Sequence, residues 1–306
     1  MSDRRTDRLR REGRAFQPSL DGQMRLESKV LLTYFHQPLG IPGQVRTAAG
    51  GSAVEVATPQ GQTFYVAVST GKIAAHPLRG GKYAFDLYAT NIDTVMTISP
   101  IVDYLGYHSA HGVYRRAAQY TNILNVGRIT VHDGPIGQID GYRDAVLSGP
   151  VISPSTSRID RIAFEQILPG ASIITGGDVN TLDVLNGISL SGPGTGIVIG
   201  RDLNDFTVGG NLTVANGSVF AIGRDAGLTT QLNHGTGPLL FGQSAIVTGN
   251  LNINSGGKFI IGQSIVQPFV IDGSIIGASN IIIGRGAIPT PLATQPNLVF
   301  GGTVTP

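Results

Sequence analysis

Large apolar residues alternate with polar ones over short runs in the second half of the chain, and the clearest run occurs twice. Thr207 to Asp225, TVGGNLTVANGSVFAIGRD, aligns without gaps on Ile246 to Ser264, IVTGNLNINSGGKFIIGQS, at an offset of 39 residues. Of the 19 aligned positions 8 are identical, and the matches fall where a buried strand face needs them. Leu212 and Val214 match Leu251 and Ile253; Phe220 and Ile222 match Phe259 and Ile261. These residues share one parity, as strands with one buried face require. Thr213, Asn252 and Lys258 lie on the other parity and are expected outside.

A shorter period runs through the same region. An apolar residue followed by glycine recurs at Gly200, Gly223, Gly242, Gly262, Gly284 and Gly301, with spacings of 23, 19, 20, 22 and 17 residues. Short strands and Gly/Asn turns repeating every 20 residues or so are the signature of a solenoid. No leucine framework with a helical segment per unit is present, which argues against a leucine-rich repeat. The expectation is an all-β fold: a right-handed parallel β-helix with coils of about 20 residues. Gly200, Gly223, Gly242, Gly262 and Gly284 are its structural repeat positions, where glycine admits left-handed corners. Asn211 and Asn250 occupy equivalent corners and are placed to hydrogen-bond along a ladder. A β-sandwich with coincidental internal similarity is the alternative.

Upstream the pattern is less regular. Residues 1–48 read as a basic leader or disordered tail, with Arg4, Arg5, Arg8, Arg10, Arg11 and Arg14 close together. Residues 49–125 hold alternating segments such as Lys82 to Tyr88 and read as irregular first coils, an N-terminal cap or a separate small β-domain. Within them, residues 104–120 form an expected protruding loop rich in Tyr, His and Arg. Residues 126–306 are assigned to the β-helix, with Ile159 to Gln166 as a short helix or irregular coil.

Composition narrows the function. Charged residues are only 14% and the net charge is +2, much of the arginine lying in the tail, so the body lacks the basic surface of a nucleic-acid binder. The chain has no cysteine, which excludes disulfides, Cys-based zinc sites and thiol chemistry. No apolar run approaches the roughly 18 to 20 residues of a spanning helix, and no apolar signal-peptide core is visible.

Candidate chemistry is sparse. Asp202 and Asp225 follow the Gly-Arg corner and are expected on adjacent coils about 4.8 Å apart. Corner chemistry accounts for them, because Asp caps nearby backbone N–H groups. The register equivalents downstream, Ser244 and Ser264, end the acidic row. His108 and His111 are three apart and would share a helix face, with His132 and Asp133 the nearest residues able to complete a metal site. A contact loop fits better, and Tyr107, His108, His111, Tyr114, Arg115 and Arg116 are its candidate binding residues. Gly192 to Gly196 is glycine-rich, but no helix pattern follows to hold an anion, so it reads as a corner. Walker, GxSxG and HExxH sequences are absent. No catalytic residue, metal ligand or cofactor is assigned.

Two segments carry a resemblance. Phe16-Gln17-Pro18-Ser19-Leu20-Asp21 and Arg25-Leu26-Glu27-Ser28-Lys29-Val30-Leu31-Leu32 resemble a basic LE-x-R-x-LL-type leader of secreted surface proteins of planctomycetes and some Gram-negative bacteria, with Lys29 where arginine is usual. Ile162 to Phe164, Leu168 to Ile173, Gly176 to Leu185 and Gly196 to Leu203 are similar to uncharacterised planctomycete secreted proteins with autotransporter-like β-helices, over roughly residues 120–290. The resemblance implies a secreted or cell-surface location in a bacterial envelope and transfers no activity to any residue. The resulting expectation is a non-catalytic structural or adhesive protein of about nine to twelve coils at about 4.8 Å each. Its partner would be an extracellular polysaccharide or another surface protein. A carbohydrate-active enzyme and a self-assembling scaffold are the alternatives.

Overall fold

The computed structural model describes residues 41–101, 123–153, 156–226, 245–254, 256–266, 268–284 and 297–306. Within them the chain is built from strands. The first six are β1 (Val45–Ala48), β2 (Ala53–Ala57), β3 (Thr63–Val68), β4 (Lys72–Leu78), β5 (Lys82–Tyr88) and β6 (Val95–Pro100). Next come β7 (Leu124–Val131), β8 (Gln138–Leu147), β9 (Pro150–Ile152) and β10 (Ile159–Ile167). The following seven are short: β11 (Ser172–Thr175), β12 (Val179–Val184), β13 (Ile188–Ser191), β14 (Gly196–Ile199), β15 (Leu203–Val208), β16 (Leu212–Ala215) and β17 (Val219–Ile222). The last eight are β18 (Ala245–Val247), β19 (Leu251–Ile253), β20 (Lys258–Ile261), β21 (Phe269–Ile271), β22 (Ile275–Ile276), β23 (Ile281–Ile283), β24 (Leu298–Phe300) and β25 (Val304–Thr305).

From β7 onward every pairing among the described residues is parallel, and consecutive strands belong to different faces, which makes a parallel β-helix. The A face stacks β6, the first half of β8, then β10, β12, β15, β18, β21 and β24. The B face stacks the start of β7, the end of β8, the end of β10, then β13, β16, β19, β22 and β25. The C face stacks β5, the rest of β7, then β9, β11, β14, β17, β20 and β23. Among the described residues the C face has eight levels, the first of them β5, fewer than the nine to twelve coils expected from a uniform period, because the coils are longer. Ile162 pairs with Leu182, but Leu190 pairs with Val214 and Val214 with Ile253.

That last step is the 39-residue offset of the sequence repeat, so the two aligned runs are neighbouring coils with no coil between them. The extra length lies in residues 227–244, outside the described residues, together with Gly242. Gly262 N–H bonds to Ile222 O, so Gly262 follows Gly223 directly. The glycine row is therefore Gly176, Gly200, Gly223, Gly262 and Gly284. Gly301 belongs to another corner, bonding to Ile271 O. The reason for glycine also differs from the expectation. Gly200, Gly223 and Gly262 do not have positive φ; Gly284 does. A Cβ on Gly262 would lie 2.1 Å from Gly223 O, and one on Gly223 2.2 Å from Gly200 O. Close approach of successive coils, rather than left-handed backbone, selects glycine here.

The core is a set of like-over-like rows inside the coils. Leu212, Val214, Phe220 and Ile222 are all fully buried. Phe220 stacks on Phe259 with centroids 5.0 Å apart, and Phe206 meets Phe220 at 5.2 Å. Aromatic pairs of this kind add about 0.5–1.5 kcal/mol beyond their burial.

Residues 45–100 are not coils. β1, β2, β3 and β6 form an antiparallel sheet, and β4 pairs antiparallel with β5. Its strands join the solenoid by parallel pairing of β5 with β7 and β6 with β8. Phe64, Phe85, Leu87 and Met96 lie fully buried against the first coils. Val45–Ala48 pairs with β2, so the fold starts before residue 49. Ile159 to Gln166 is a strand, not a helix: it is rich in β-branched and aromatic residues, with Ile159, Ile162 and Phe164 buried, and pairs with coils on both sides.

Candidate functional site

The six binding candidates Tyr107, His108, His111, Tyr114, Arg115 and Arg116 fall outside the described residues. Among the described residues no group of three His, Cys, Asp or Glu is placed to hold a metal.

The corner acids are structural. Asp178 Oδ1 accepts from Asp202 N–H at 3.1 Å, Asp202 Oδ1 from Asp225 N–H at 3.1 Å, and Asp225 Oδ1 from Ser264 N–H at 2.9 Å. Each carboxylate caps the next coil, as corner chemistry predicts. Ser264 follows Asp225 directly, and Asp178 begins the row. Asp202 is additionally clamped by the Arg224 guanidinium. A second ladder runs through the equivalent asparagine corner: Asn211 Oδ1 accepts from Asn250 N–H at 2.8 Å, and Asn250 Oδ1 from Ser274 N–H at 2.7 Å. The sequence pointed to the Asn row but not to a third one, where Asn204 donates to Asn180 at 2.8 Å and Asn180 to Asp160 at 2.9 Å. Gly192 to Gly196 is a corner turn, with Thr195 Oγ1 donating to Gly192 O at 2.7 Å.

Two outward clusters remain. The first is a ridge at the corner of β8. Gly141 pairs with Phe164 and Val146 with Gln166, so residues 142–145 bulge opposite Glu165 alone. Arg143 sits in the left-handed region at φ 67, unusual for arginine. Its guanidinium lies 5.6 Å from the Tyr142 ring centre, and Arg161 lies 5.5 Å from it. Arg161 bridges Asp140 at 3.1 Å and Asp183 at 3.0 Å on the coils either side. Burial, followed by the charges of Asp140 and Glu165, pushes Asp144 up to about 6. Burial and Asp183 also raise Asp205.

The second cluster joins β4, β5 and β7 on the C face. Buried Asp86 takes His132 Nε2 at 3.1 Å, His76 Nε2 at 3.3 Å and Arg128 at 3.6 Å. His132 stacks on Tyr88 at 4.6 Å. His132 therefore serves a strand-surface ion cluster centred on Asp86, which the sequence reading did not single out, while the Asp133 carbonyl accepts from Thr90 N–H at 3.1 Å and Thr90 Oγ1 at 2.7 Å.

This cluster opens onto an unusual surface. Beyond Thr130, the outward position on each following level of the C face is aliphatic: Ile152, Ile174, Val198, Ala221, Ile260 and Ile282 pair in one row. Ile152 is 47% exposed and Ile174 55%. Parity places these side chains opposite the core row Val151, Ile173, Ile197, Phe220, Phe259 and Ile281. Strands with a solvated face ordinarily carry polar residues there. The signal in the sequence is doubled aliphatics, as in Ile173-Ile174 and Ile260-Ile261, where alternation would give one.

Compared with family models, with curated proteins and with solved structures, the chain matches none.

Proposed function

We propose that this protein is a non-catalytic structural or adhesive β-helix, secreted or held at a bacterial cell surface, and that the C face is its contact surface. The observation that supports the reading most directly is the aliphatic row over successive levels of that face. A row of this length on a soluble scaffold marks an interaction site more often than chance exposure. The acids of the regular coils fit the same reading. Asp178, Asp202, Asp225, Asp140 and Asp183 hold coils together rather than converge on a groove.

A carbohydrate-active role is favoured by one arrangement, the Tyr142 ridge. It combines an aromatic ring, two arginines and a carboxyl raised to about 6, suited to proton donation near neutral pH.

One experiment separates the two. Purified protein is incubated with pectin and alginate, and both unsaturated uronate and reducing ends are followed. The structural reading expects no product, and expects retention on a polymer gel or on immobilised protein to be lost in Ile174→Lys. Product release that disappears in Asp144→Asn would establish the enzyme instead.

A further inference from the structure

We infer that the end of the C face formed by β4, β5 and β7 is a binding site for an acidic polysaccharide, a polymer with a carboxylate on its repeating sugar. The inference rests on the reading of the C face as a contact surface and adds the chemical class of what it contacts.

Pairing order assembles the surface. β5 lies between β4 and β7. Parity turns Lys82, Ala84, Asp86 and Tyr88 outwards, away from buried Tyr83, Phe85 and Leu87. His76 and Arg128 flank Ala84, and Ala74 and Thr130 flank Asp86. Lys72 lies beside Tyr88 on one side, and His132 stacks on its ring. Lys82 and exposed Arg79 stand at the turn between β4 and β5. From Lys82 to Tyr88 the strand covers about 20 Å, and the three strands together about 10 Å.

Positive charge is in excess here, unlike on the coils. Arg158, Arg161, Arg201 and Arg224 each pair with a coil carboxylate, and Arg46 pairs with Glu55. Lys72, Arg79 and Lys82 pair with no carboxylate among the described residues. Asp86 is the one acid on the three strands, and it is buried. His76 and His132 both reach it through Nε2, so its charge faces inwards and holds both imidazoles in place. Arg128 is less committed. Its nearest nitrogen stands 3.6 Å from Asp86, beyond hydrogen-bond reach, and its Nε has no partner. The acids that follow in sequence, Asp93 and Asp133, lie in the corners beyond Tyr88 and His132. Lys72, Arg79, Lys82 and Arg128 therefore stand against Asp86 alone on this surface.

The layout selects the ligand. Cations spread over about 20 Å of strand suit a chain with repeated negative charge better than a single small anion. A uronate polymer offers carboxylates in series, and a guanidinium with free donors binds a carboxylate through paired hydrogen bonds. Single-stranded nucleic-acid binders add open aromatic rings on which bases stack. The one outward aromatic ring on these strands, Tyr88, is instead stacked on His132, with centroids 4.6 Å apart and planes 4° apart. Imidazoles already fixed by Asp86 lose little freedom when a ligand arrives.

Biolayer interferometry of the full chain on immobilised polygalacturonate, dextran and single-stranded DNA, from about 50 to 200 mM NaCl, tests it. The wild type should bind polygalacturonate with an affinity that falls as salt rises. It should ignore dextran and bind the DNA more weakly at equal salt. Lys72→Glu and Lys82→Glu should each weaken polygalacturonate binding about tenfold. Lys258→Glu makes the same charge change on β20, several strands away and beyond the screening length of about 10 Å, and should bind within about twofold of the wild type. Circular dichroism checks that each variant is folded. A wild type that does not bind polygalacturonate, or Lys72→Glu and Lys82→Glu variants that bind it normally, overturns the site. An equal loss in Lys258→Glu overturns it too, because net charge would then explain the binding. Tighter binding of DNA overturns the polysaccharide in favour of a nucleic acid. If polygalacturonate is not bound yet Ile174→Lys loses retention on immobilised protein, the site falls while the contact surface stands. If Lys82→Glu loses polygalacturonate and Ile174→Lys loses no retention, the site stands and the aliphatic row is not the contact.

Discussion

At the scale of single residues, the β8 ridge is where local chemistry departs most from the regular coil. Asp144 has a folded-state pKa of about 6 against an ordinary 3.8, because burial and the charges of Asp140 and Glu165 penalise its ionised form. The native chain therefore binds this proton more tightly than the unfolded chain. Its contribution to stability grows as pH falls from about 6 towards 4 and is lost as pH rises back through 6. Asp144 is only partly buried, so the effect is screened and modest. Asp144→Asn should raise Tm at pH 7.5 by on the order of 2 °C. It should also remove that share of the wild type's gain between pH 6.5 and 4.5. Thermal melts at the two pH values check it, and a variant with an unchanged pH profile would mean that Asp144 titrates normally. Arg143, one residue away, keeps a left-handed backbone that no glycine relieves; Gly141-Tyr142-Arg143-Asp144 does interrupt the apolar alternation, but a polar interruption does not say which residue turns left-handed.

At the scale of strands and coils, stacking depends on how closely successive corners approach. Gly262 illustrates this. Its missing Cβ would stand 2.1 Å from Gly223 O and 2.8 Å from Gly223 C. Those are backbone atoms of a neighbouring coil and cannot swing aside. Gly262→Ala should destabilise the fold by about 2 kcal/mol or more, read as a lower urea midpoint with little change in m. An unchanged midpoint would show that the corner relaxes easily. The glycine corners at Gly200, Gly223, Gly262 and Gly284 were legible in the sequence, though not their spacing along the stack, and so was the inward parity of Leu212, Phe220 and Ile222. Coil register was not, because residues 227–244 supply an apolar-Gly pair at Phe241-Gly242 that imitates a corner. The outward C-face row was missed for a related reason. Parity says which residues can be inside, but it says nothing of an aliphatic residue on the opposite parity, and Ile174 or Ile260 reads as part of a buried run. The Asp86 cluster was hidden because His76, Asp86, Arg128 and His132 come from three strands whose pairing order is not sequential.

At the scale of the whole molecule, the two ends of the coil stack differ. The first coils are covered by antiparallel strands, with Phe64, Phe85, Leu87 and Met96 fully buried. At the other end Leu298 and Phe300 are only partly buried, and Val304 is 38% exposed. In a solenoid each coil is stabilised by its neighbours, so a level with a neighbour on one side opens at lower free energy than a level with two. Amide exchange in this chain should therefore be slowest across β12 to β17 and fastest at β24 and β25. Substitution should follow the same gradient. Leu212 is fully buried between Ile188 and Leu251, and Leu212→Ala should cost about 2–5 kcal/mol and lower the main unfolding transition. Val304 occupies the same row, is 38% exposed and pairs with Ile275 among the described residues, and Val304→Ala should leave that transition in place. Exchange measured by mass spectrometry, with urea unfolding of both variants, provides the check. Uniform protection along the row, or equal losses at Leu212 and Val304, would mean that the stack unfolds as one cooperative block rather than from its less buried levels.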